Sequence, residues 1–306
     1  MSIERAERRG GSKALGVFLA MTTAAAFGSL PVLYKVAYAQ GATTAGMLAW
    51  RFTLGAGLLV WFCKVRGISL RLSPAMVARL ACMGAGYAGF SWLYSASLRY
   101  VPAWIGTMLF YHYPVTTIVL AYFILGERLD RATVPALLLS LAGCALILWA
   151  PGASGMVGSV RQVHVAGALM AIASGVFNAL YSVLARKVAA GVHPAVKSVY
   201  IACSAASCYV ISMLLSGEWW LPRSPGAWAS VAALAGWCTA VPMISLLWAL
   251  EIIGASRTAI LSTVEPAVSA ALAVAILGER LAWVQALGGA LVVLGALLIR
   301  RRTTEA

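Results

Sequence analysis

One pattern constrains the fold of this chain more than any other: the segment Leu-Gly-Glu-Arg-Leu occurs twice, 152 residues apart. The longer segments "PVTTIVLAYFILGERL" (114–129) and "PAVSAALAVAILGERL" (266–281) are identical at nine of sixteen positions. At the same offset, Lys-Val-Ala occurs at both 35–37 and 187–189. A similarity at one fixed offset, spread over most of the chain, indicates two copies of one structural unit.

The composition assigns both copies to the membrane. Hydrophobic residues make up 62% of the chain and charged residues 10%, whereas about 25% of the residues in a soluble domain are charged. A helix that crosses the bilayer needs about 20 apolar residues, so the sequence predicts an all-α polytopic membrane protein with ten transmembrane helices. We expect the first apolar run to be kept as a crossing rather than removed as a signal peptide. The ten segments are 14–38, 44–63, 75–98, 103–124, 132–150, 164–188, 194–216, 226–251, 256–276 and 282–300.

The repeat divides the chain into two units of five helices. We predict a first five-helix repeat over residues 1–150, a Gly/Ser-rich linker over 151–162, and a second repeat over 163–306. Because five is odd, the second unit enters the membrane from the opposite side, and the two repeats are inverted relative to each other. Two such halves can pack in two ways around a central cavity, which is the arrangement that alternating access requires.

The net charge of +14 follows from topology. With the N-terminus inside, seventeen of the 23 Lys and Arg residues lie on the inner side, four lie on the outer side and two lie within spans. The positive-inside rule then places both termini in the cytoplasm. We therefore expect no nucleic-acid partner. The six cysteines and three histidines show no ligand spacing, so we also expect no metal and no cofactor.

The repeated motif predicts the same local structure twice. Its glycine suits a helix C-terminus, and the next residue, Glu127 or Glu279, would stay hydrated at the membrane surface and hold the helix end in a structural role. Pro114 and Pro266 lie twelve residues before these glycines, inside the fourth and ninth helices. Proline frees a backbone carbonyl and kinks a helix, so we expect both helices to bend.

The doubled Pro-x11-Gly-Glu-Arg pattern, in a ten-span chain of 306 residues, resembles the drug/metabolite transporter superfamily in its EamA-type branch. Within that branch the chain is similar to the YddG-type aromatic amino-acid exporters of bacterial inner membranes. The resemblance implies a basket-like fold in which helices 3, 4, 8 and 9, with 1 and 6, surround a central cavity. Helices 5 and 10 would lie at the periphery.

Aromatic side chains of these cavity helices are the candidates for cargo contacts. A hollow lined by aromatic rings suits a planar apolar group through offset stacking, and Tyr hydroxyls or an amide could orient a polar head. The alternative is that aromatic residues at helical spacing pack against each other or form interfacial belts. The candidates are Tyr87, Tyr94, Trp104, Met108, Tyr111, Asn178, Tyr181, Trp237 and Trp248.

Two ionisable residues within the spans are further candidates, because charged groups in a membrane are costly and mark functional sites. His112 precedes the kink of the fourth helix, and Glu265 precedes Pro266 in the ninth. The equivalent of Glu265 in the first repeat is Tyr113, so the halves differ chemically here. Either group could bind the charged head of the cargo or carry a coupling proton; the alternative is a hydrogen-bonded packing role.

Three more residues suggest gating or anchoring. Lys35 lies near the outer end of the first helix and Arg51 lies early in the second, and both are expected to be anchors or gate contacts rather than central binding groups. Pro31 would bend the first helix, which suits a gating segment.

The leading expectation is a bacterial inner-membrane exporter of small amphipathic metabolites, aromatic amino acids first among them, working by alternating access. Its partners would be a small-molecule cargo and the lipid bilayer, and we expect a monomer. The alternatives are export of other metabolites or drug cations of the same superfamily and, in a different class, an intramembrane lipid-modifying enzyme. No clustered nucleophile and base support an enzyme, since Asp130 is the only aspartate and lies outside the spans.

Overall fold

The computed structural model describes residues 3–126, 133–149, 165–188, 191–217 and 219–302, and within these ranges every regular element is helical. The first half of the chain forms six helices: α1 (Ile3–Ala39), α2 (Thr44–Val65), α3 (Pro74–Ser97), α4 (Ala103–Phe110), α5 (Tyr113–Leu125) and α6 (Thr133–Trp149).

The second half also forms six α-helices, with two irregular segments among them. These helices are α7 (Val165–Val188), α8 (Pro194–Ser216), α9 (Pro225–Ala232), α10 (Val241–Leu261), α11 (Glu265–Leu277) and α12 (Trp283–Arg302). A π-helix (Ala233–Ala240) joins α9 to α10, and a 3₁₀ turn (Ser262–Val264) joins α10 to α11.

Six helical stretches of the described chain are long and apolar enough to cross a membrane, and the third of them combines α4 and α5. Three shorter apolar helices, Val134–Ile147, Glu265–Leu277 and Trp283–Gly295, accompany them. The all-helical, multi-span prediction is therefore confirmed, whereas the number of ten crossings stays a prediction. The six stretches are Lys13–Ala39, Thr44–Val65, Ala103–Leu125, Val165–Ala185, Pro194–Ser216 and Pro225–Ala249.

The helix pairs repeat at the sequence offset of 152. At that offset α1 corresponds to α7, and α3 corresponds to the stretch from α9 into α10. The contact of α3 with α7 is thus matched by the contact of α1 with α10. The pairs α2 with α8 and α6 with α12 each join a helix to its own equivalent in the other half. Every one of these pairs joins the two halves, so the cavity between them is built from both.

One predicted loop is replaced by helix. We expected a break over residues 252–255, between the eighth and ninth crossings, but α10 is helical from Val241 to Leu261. Contacts with α1 nevertheless show that the chain reverses direction. Residues before and after the reversal touch the same part of α1, whereas the reversal itself touches a part of α1 nearer its N-terminus. In chain order, the contacts join Trp237 to Ser29, Ile253 to Gly16, and Glu265 to Gly28.

The glycine of each repeated motif ends a helix, as predicted. Gly126 follows α5 with φ 68°, and Gly278 follows α11 with φ 65°. Glycine adopts this left-handed conformation without the steric cost that a Cβ atom imposes. Glu127 lies outside the described residues.

Each proline of the repeat follows an interruption in its crossing, which agrees with the predicted kinks. Pro114 is the second residue of α5, after a break at 111–112, and Pro266 is the second residue of α11, after the 3₁₀ turn. Proline is tolerated in the first turn of a helix, where its missing N–H is not required. Pro31 lies inside α1, which continues as a helix to Ala39.

Candidate functional site

A cavity of about 540 Å³ lies between the two halves. Its wall combines a ring of aromatic side chains with two ionisable groups, Arg51 and Glu265. Of the residues proposed from sequence as cargo contacts, five lie on this wall: Tyr87, Tyr94, Tyr111, Asn178 and Glu265. The wall also includes Tyr34, Phe90, Ser91, Thr107, Phe110, Tyr113, Thr258 and Ser262.

The aromatic part of the wall includes two groups of contacting rings on α3, α4 and α5. The ring of Tyr87 contacts that of Phe90 edge-on, with centroids 4.6 Å apart. Phe110 lies between Tyr94 and Tyr113, at centroid distances of 4.9 and 5.1 Å. Tyr87, Phe90 and Tyr94 are three and four residues apart, which places them on one face of α3, and all three line the cavity. These rings offer both flat faces and edges to a planar ligand.

Arg51 occupies a more central place than its position in the sequence suggested. The sequence favoured an anchor or gate contact, but the side chain is 2% exposed and lines the cavity. Its Nε atom donates to Thr239 Oγ1 at 2.9 Å, and its two terminal nitrogens donate to the Tyr34 hydroxyl and to the Cys238 carbonyl oxygen. Two of these three acceptors belong to the π-helix of the other half, so Arg51 links the halves beside the cavity.

Glu265 lines the cavity at the point where the helix is interrupted before α11. It is the first residue of α11, and its carbonyl oxygen lies 2.7 Å from where a Cβ atom on Gly28 of α1 would be. Pro266 cannot supply an N–H to the carbonyl of Ser262, four residues earlier. The Tyr111 hydroxyl donates to that oxygen instead, at 2.9 Å. A side chain of the first half thereby holds the break of the second half.

Three of the predicted cargo contacts are packed away from the cavity wall. Trp104 is 1% exposed in the apolar core, and Met108 packs against α12, where its sulfur lies 2.8 Å from the position of a Cβ atom on Gly289. His112 Nδ1 lies within hydrogen-bond distance of the Leu109 carbonyl, at 2.7 Å. Its ring is directed at α7 rather than at the cavity, because its Cε1 atom would meet a Cβ atom added at Gly175.

Three further predicted contacts lie on other faces of the bundle. Tyr181 touches Tyr87 at a centroid distance of 5.5 Å, but it lines a second cavity of about 430 Å³ beside α3 and α7. Trp237 is 41% exposed and donates to the Ser29 hydroxyl at 3.0 Å. Trp248 lies under the guanidinium of Arg66, 4.6 Å from its ring centroid. These placements match the packing and belt alternative rather than cargo contact.

Glu279 of the repeated motif has a structural position at the far end of α4. Its carboxylate accepts from the backbone N–H groups of Ala103 and Trp104, at 2.8 and 3.4 Å, and so caps the N-terminus of α4. The ammonium of Lys35 lies 3.7 Å from the same carboxylate. One carboxylate therefore joins α1, α4 and the turn after α11.

Sequence reasoning missed several residues of the wall. Tyr34 carries no distinguishing signal among the other aromatic residues of the chain. Thr107 carries none either, since a threonine hydroxyl inside an apolar helix commonly bonds to the helix itself. Thr107 does so, and its hydroxyl also shares hydrogen bonds with those of Tyr94 and Ser269. Arg51 could have been found from its cost alone, because an arginine inside a span is a functional candidate by default. The π-helix that receives it has no signature in the sequence.

The arrangement is that of a multi-helix membrane protein with an aromatic and partly charged cavity between two related halves. The EamA-like transporter family matches the chain twice, over residues 14–149 and 165–301. The chain belongs to the EamA-like transporter family and is a multi-pass membrane transporter.

Relatives agree with that assignment. The "Uncharacterized transporter YyaM" of Bacillus subtilis (strain 168) is 27% identical over 272 residues, 86% of each chain. The "Uncharacterized transporter sll1319" of Synechocystis sp. is 30% identical over 228 residues, 71% of this chain and 65% of that protein. A solved structure described only as "Crystal structure of protein" has the same fold, with a TM-score of 0.66 at 23% identity over 94% of this chain and 98% of the other. As the sequence predicted, the family and the two bacterial relatives are transporters rather than enzymes.

Proposed function

We propose that this transporter exports small amphipathic metabolites, with aromatic amino acids as the leading cargo, by alternating access across the bacterial inner membrane. The observation that carries the proposal is the cavity of about 540 Å³ between the halves, whose wall includes eight aromatic side chains. Its volume is in the range of about 300–1,000 Å³ that is typical of small-molecule sites. The wall pairs aromatic rings with hydroxyl, amide and charged groups, which suits a cargo with a planar apolar part and a polar head.

The proposed topology has ten crossings, both termini in the cytoplasm and a monomeric chain. Its support is the distribution of Lys and Arg residues and the odd number of helices in each repeat. In this topology Lys35 and Glu279 meet on the extracytoplasmic side, where their contact with the start of α4 would close the cavity. Opening toward that side would then require this contact to break.

The first test is uptake of radiolabelled tryptophan and phenylalanine into liposomes that contain the purified protein. Empty liposomes are the control, and leucine, serine and one cationic drug run in parallel. Saturable flux that favours the aromatic amino acids is the expected result. Flux of another compound without aromatic flux would reject the cargo and keep the carrier, while flux through a non-saturable path would contradict alternating access.

A matched pair of variants tests the cavity. Phe90→Ala removes a ring from the wall, and Phe123→Ala removes a ring of equal size that is 74% exposed on the outside of the bundle. Because an aromatic contact contributes about 0.5–1.5 kcal/mol beyond its buried area, we expect Phe90→Ala to raise the KM for tryptophan about tenfold. Phe123→Ala should leave it unchanged. Equal effects of the two variants would contradict cargo binding at this wall.

For Glu265 we propose cargo binding or proton coupling, supported by its position on the cavity wall. Glu265→Gln keeps the size of the side chain and removes both its charge and its proton exchange. Flux should fall, and its dependence on pH should flatten. A variant with the flux and pH profile of the natural protein would contradict both roles.

A further inference from the structure

Arg51 is the point at which the cavity departs most from the symmetry of the repeat. The equivalent position in the second half, 152 residues later, is Cys203, whose side chain is a neutral thiol in place of a guanidinium. Glu265 differs in the same way from its equivalent, Tyr113. The two ionisable residues of the cavity wall therefore both lie where the halves differ, one in each half. Each half therefore contributes one charged side chain to the wall, so that the cavity offers a cation and a carboxyl group to one ligand.

The guanidinium of Arg51 has donors to spare. A guanidinium carries five N–H groups, and three are used: one from Nε to Thr239, one from a terminal nitrogen to Tyr34, and one from the other to the Cys238 carbonyl. Within the part of the chain that the structure describes, no further acceptor receives the remaining two. They lie one on each terminal nitrogen, and a planar fork of this kind matches the two oxygens of a carboxylate.

The charge of Arg51 also has no anionic partner among the described residues, although the rings of Phe52 and Tyr34 lie 4.7 and 5.5 Å from the guanidinium carbon. Its three acceptors are two neutral hydroxyls and a backbone carbonyl, and the described carboxylates make no ion pair with it. The side chain is 2% exposed. A buried charge is costly unless an opposite charge approaches it, so an anionic group of a ligand would be favoured here and a bare cation disfavoured.

We propose that Arg51 binds the carboxylate of the cargo, so that the carrier accepts α-amino acids and discriminates against analogues that lack the carboxylate. This inference rests on the function proposed above and specifies it. The placement of Glu265 suits a zwitterion, because Arg51 and Glu265 line the same cavity and carry opposite charges.

The decisive experiment uses the natural protein in liposomes. Uptake of labelled tryptophan is inhibited by unlabelled tryptophan or by tryptophan amide, which keeps the indole and the ammonium but has no carboxylate. We expect tryptophan amide to need at least about tenfold higher concentration for half inhibition, the cost of about one charge-assisted contact. Concentrations within about twofold of each other would overturn the inference and leave the proposed function standing. Absence of tryptophan uptake would instead overturn the proposed function, and this inference with it.

Two variants assign the selectivity to Arg51. Arg51→Gln removes the charge, and Arg51→Lys keeps the charge but not the fork. In Arg51→Gln we expect the preference for tryptophan over its amide to fall to about twofold or less, with an intermediate loss in Arg51→Lys. Arg66→Gln is the matched control, because Arg66 is an exposed arginine at the end of the same helix, and it should keep the full preference. A full preference in Arg51→Gln would contradict the assignment; if that variant does not fold, the inhibition ratio of the natural protein decides.

Discussion

The two helical segments that contain the repeated prolines have similar backbones but carry different side chains. In the first, α4 ends at Phe110 and α5 starts at Tyr113, and His112 between them is directed into the packing against α7. In the second, a 3₁₀ turn precedes α11, and Glu265 at its end lines the cavity. Both halves therefore have a break in the helix at this point, but the side chains differ. The first break places aromatic rings on the cavity wall, and the second places the carboxyl group of Glu265 there.

The two breaks also pack against neighbouring helices in the same way. Each is held against a glycine of the long helix beside it, Gly175 of α7 for the first and Gly28 of α1 for the second. In each case an added Cβ atom would come within 2.8 Å of a backbone carbonyl oxygen, that of Phe110 or that of Glu265. Close helix approach at small residues is the usual way in which membrane helices pack.

The largest effect on stability is expected from replacing these two glycines by alanine. Gly28→Ala places a methyl group against a backbone carbonyl and the side chain of Val268. We therefore expect a loss of about 1–3 kcal/mol in the free energy of unfolding. Gly175→Ala should cost the same or less, because its closest neighbour is the ring of His112. Denaturation in mixed detergent micelles measures both.

Gly57→Ala is the control for these two variants, since nothing lies within 4 Å of its added Cβ. It should be neutral or slightly stabilising, because alanine is the better helix former. If Gly28→Ala changed the free energy of unfolding as little as Gly57→Ala does, the second break would not pack closely against α1. Only Gly28→Ala should also reduce transport, since it displaces the backbone of Glu265.

A second effect concerns the capping of α4 by the other half. Glu279→Ala removes the acceptor for the N–H groups of Ala103 and Trp104, together with the contact to Lys35. Loss of an N-terminal cap costs about 0.5–2 kcal/mol, and we expect a decrease of about 1 kcal/mol in the free energy of unfolding. Glu279→Gln keeps an acceptor oxygen and should lose less. Equal losses in the two variants would show that the ion pair, rather than the cap, is what stabilises this end of α4.

The sequence predicted the features that repeat and was less successful with those that do not. Two copies of one motif predicted the helix ends at Gly126 and Gly278 and the breaks before Pro114 and Pro266, because glycine and proline act through the local backbone. Side-chain direction depends on how the helices rotate against each other. The sequence therefore placed Trp104, Met108 and Tyr111 on one face, but could not show that only Tyr111 reaches the cavity wall.

The surroundings of Arg51 and the helical form of the turn near Ile253 were not predicted, for related reasons. The groups that receive Arg51 are in a π-helix of the other half, and such a segment depends on tertiary packing rather than on a residue pattern. The chain reverses near Ile253, within residues 252–255 where the sequence predicted a break, but it stays helical through the reversal, from Val241 to Leu261. Hydropathy set the predicted boundary and could not indicate that the turn would be helical. Contacts between distant segments decide both features.

A third effect tests the bond that joins the two breaks. Tyr111→Phe removes the hydroxyl that donates to the Ser262 carbonyl. One such hydrogen bond contributes about 0.5–1.5 kcal/mol, so we expect a loss of about 1 kcal/mol in the free energy of unfolding, measured in the same micelles. Tyr122→Phe removes a hydroxyl from a residue that is 43% exposed, and it should change stability by less than about 0.5 kcal/mol. Equal changes in the two variants would contradict a role for Tyr111 at the second break.

The smallest expected effect is an energetic coupling between Tyr111 and Pro266. It distinguishes the second break from the first, where no such coupling is expected. Pro266→Ala supplies the N–H that can bond to the carbonyl of Ser262, which is the acceptor of Tyr111. The double variant Tyr111→Phe/Pro266→Ala should therefore lose about 0.5 kcal/mol less than the sum of the single losses, within the range found for residues that share a partner. Pro114→Ala supplies an N–H toward Phe110 instead, so its double variant with Tyr111→Phe should be additive. Coupling of the same size at both prolines would mean that Tyr111 does not distinguish the two breaks.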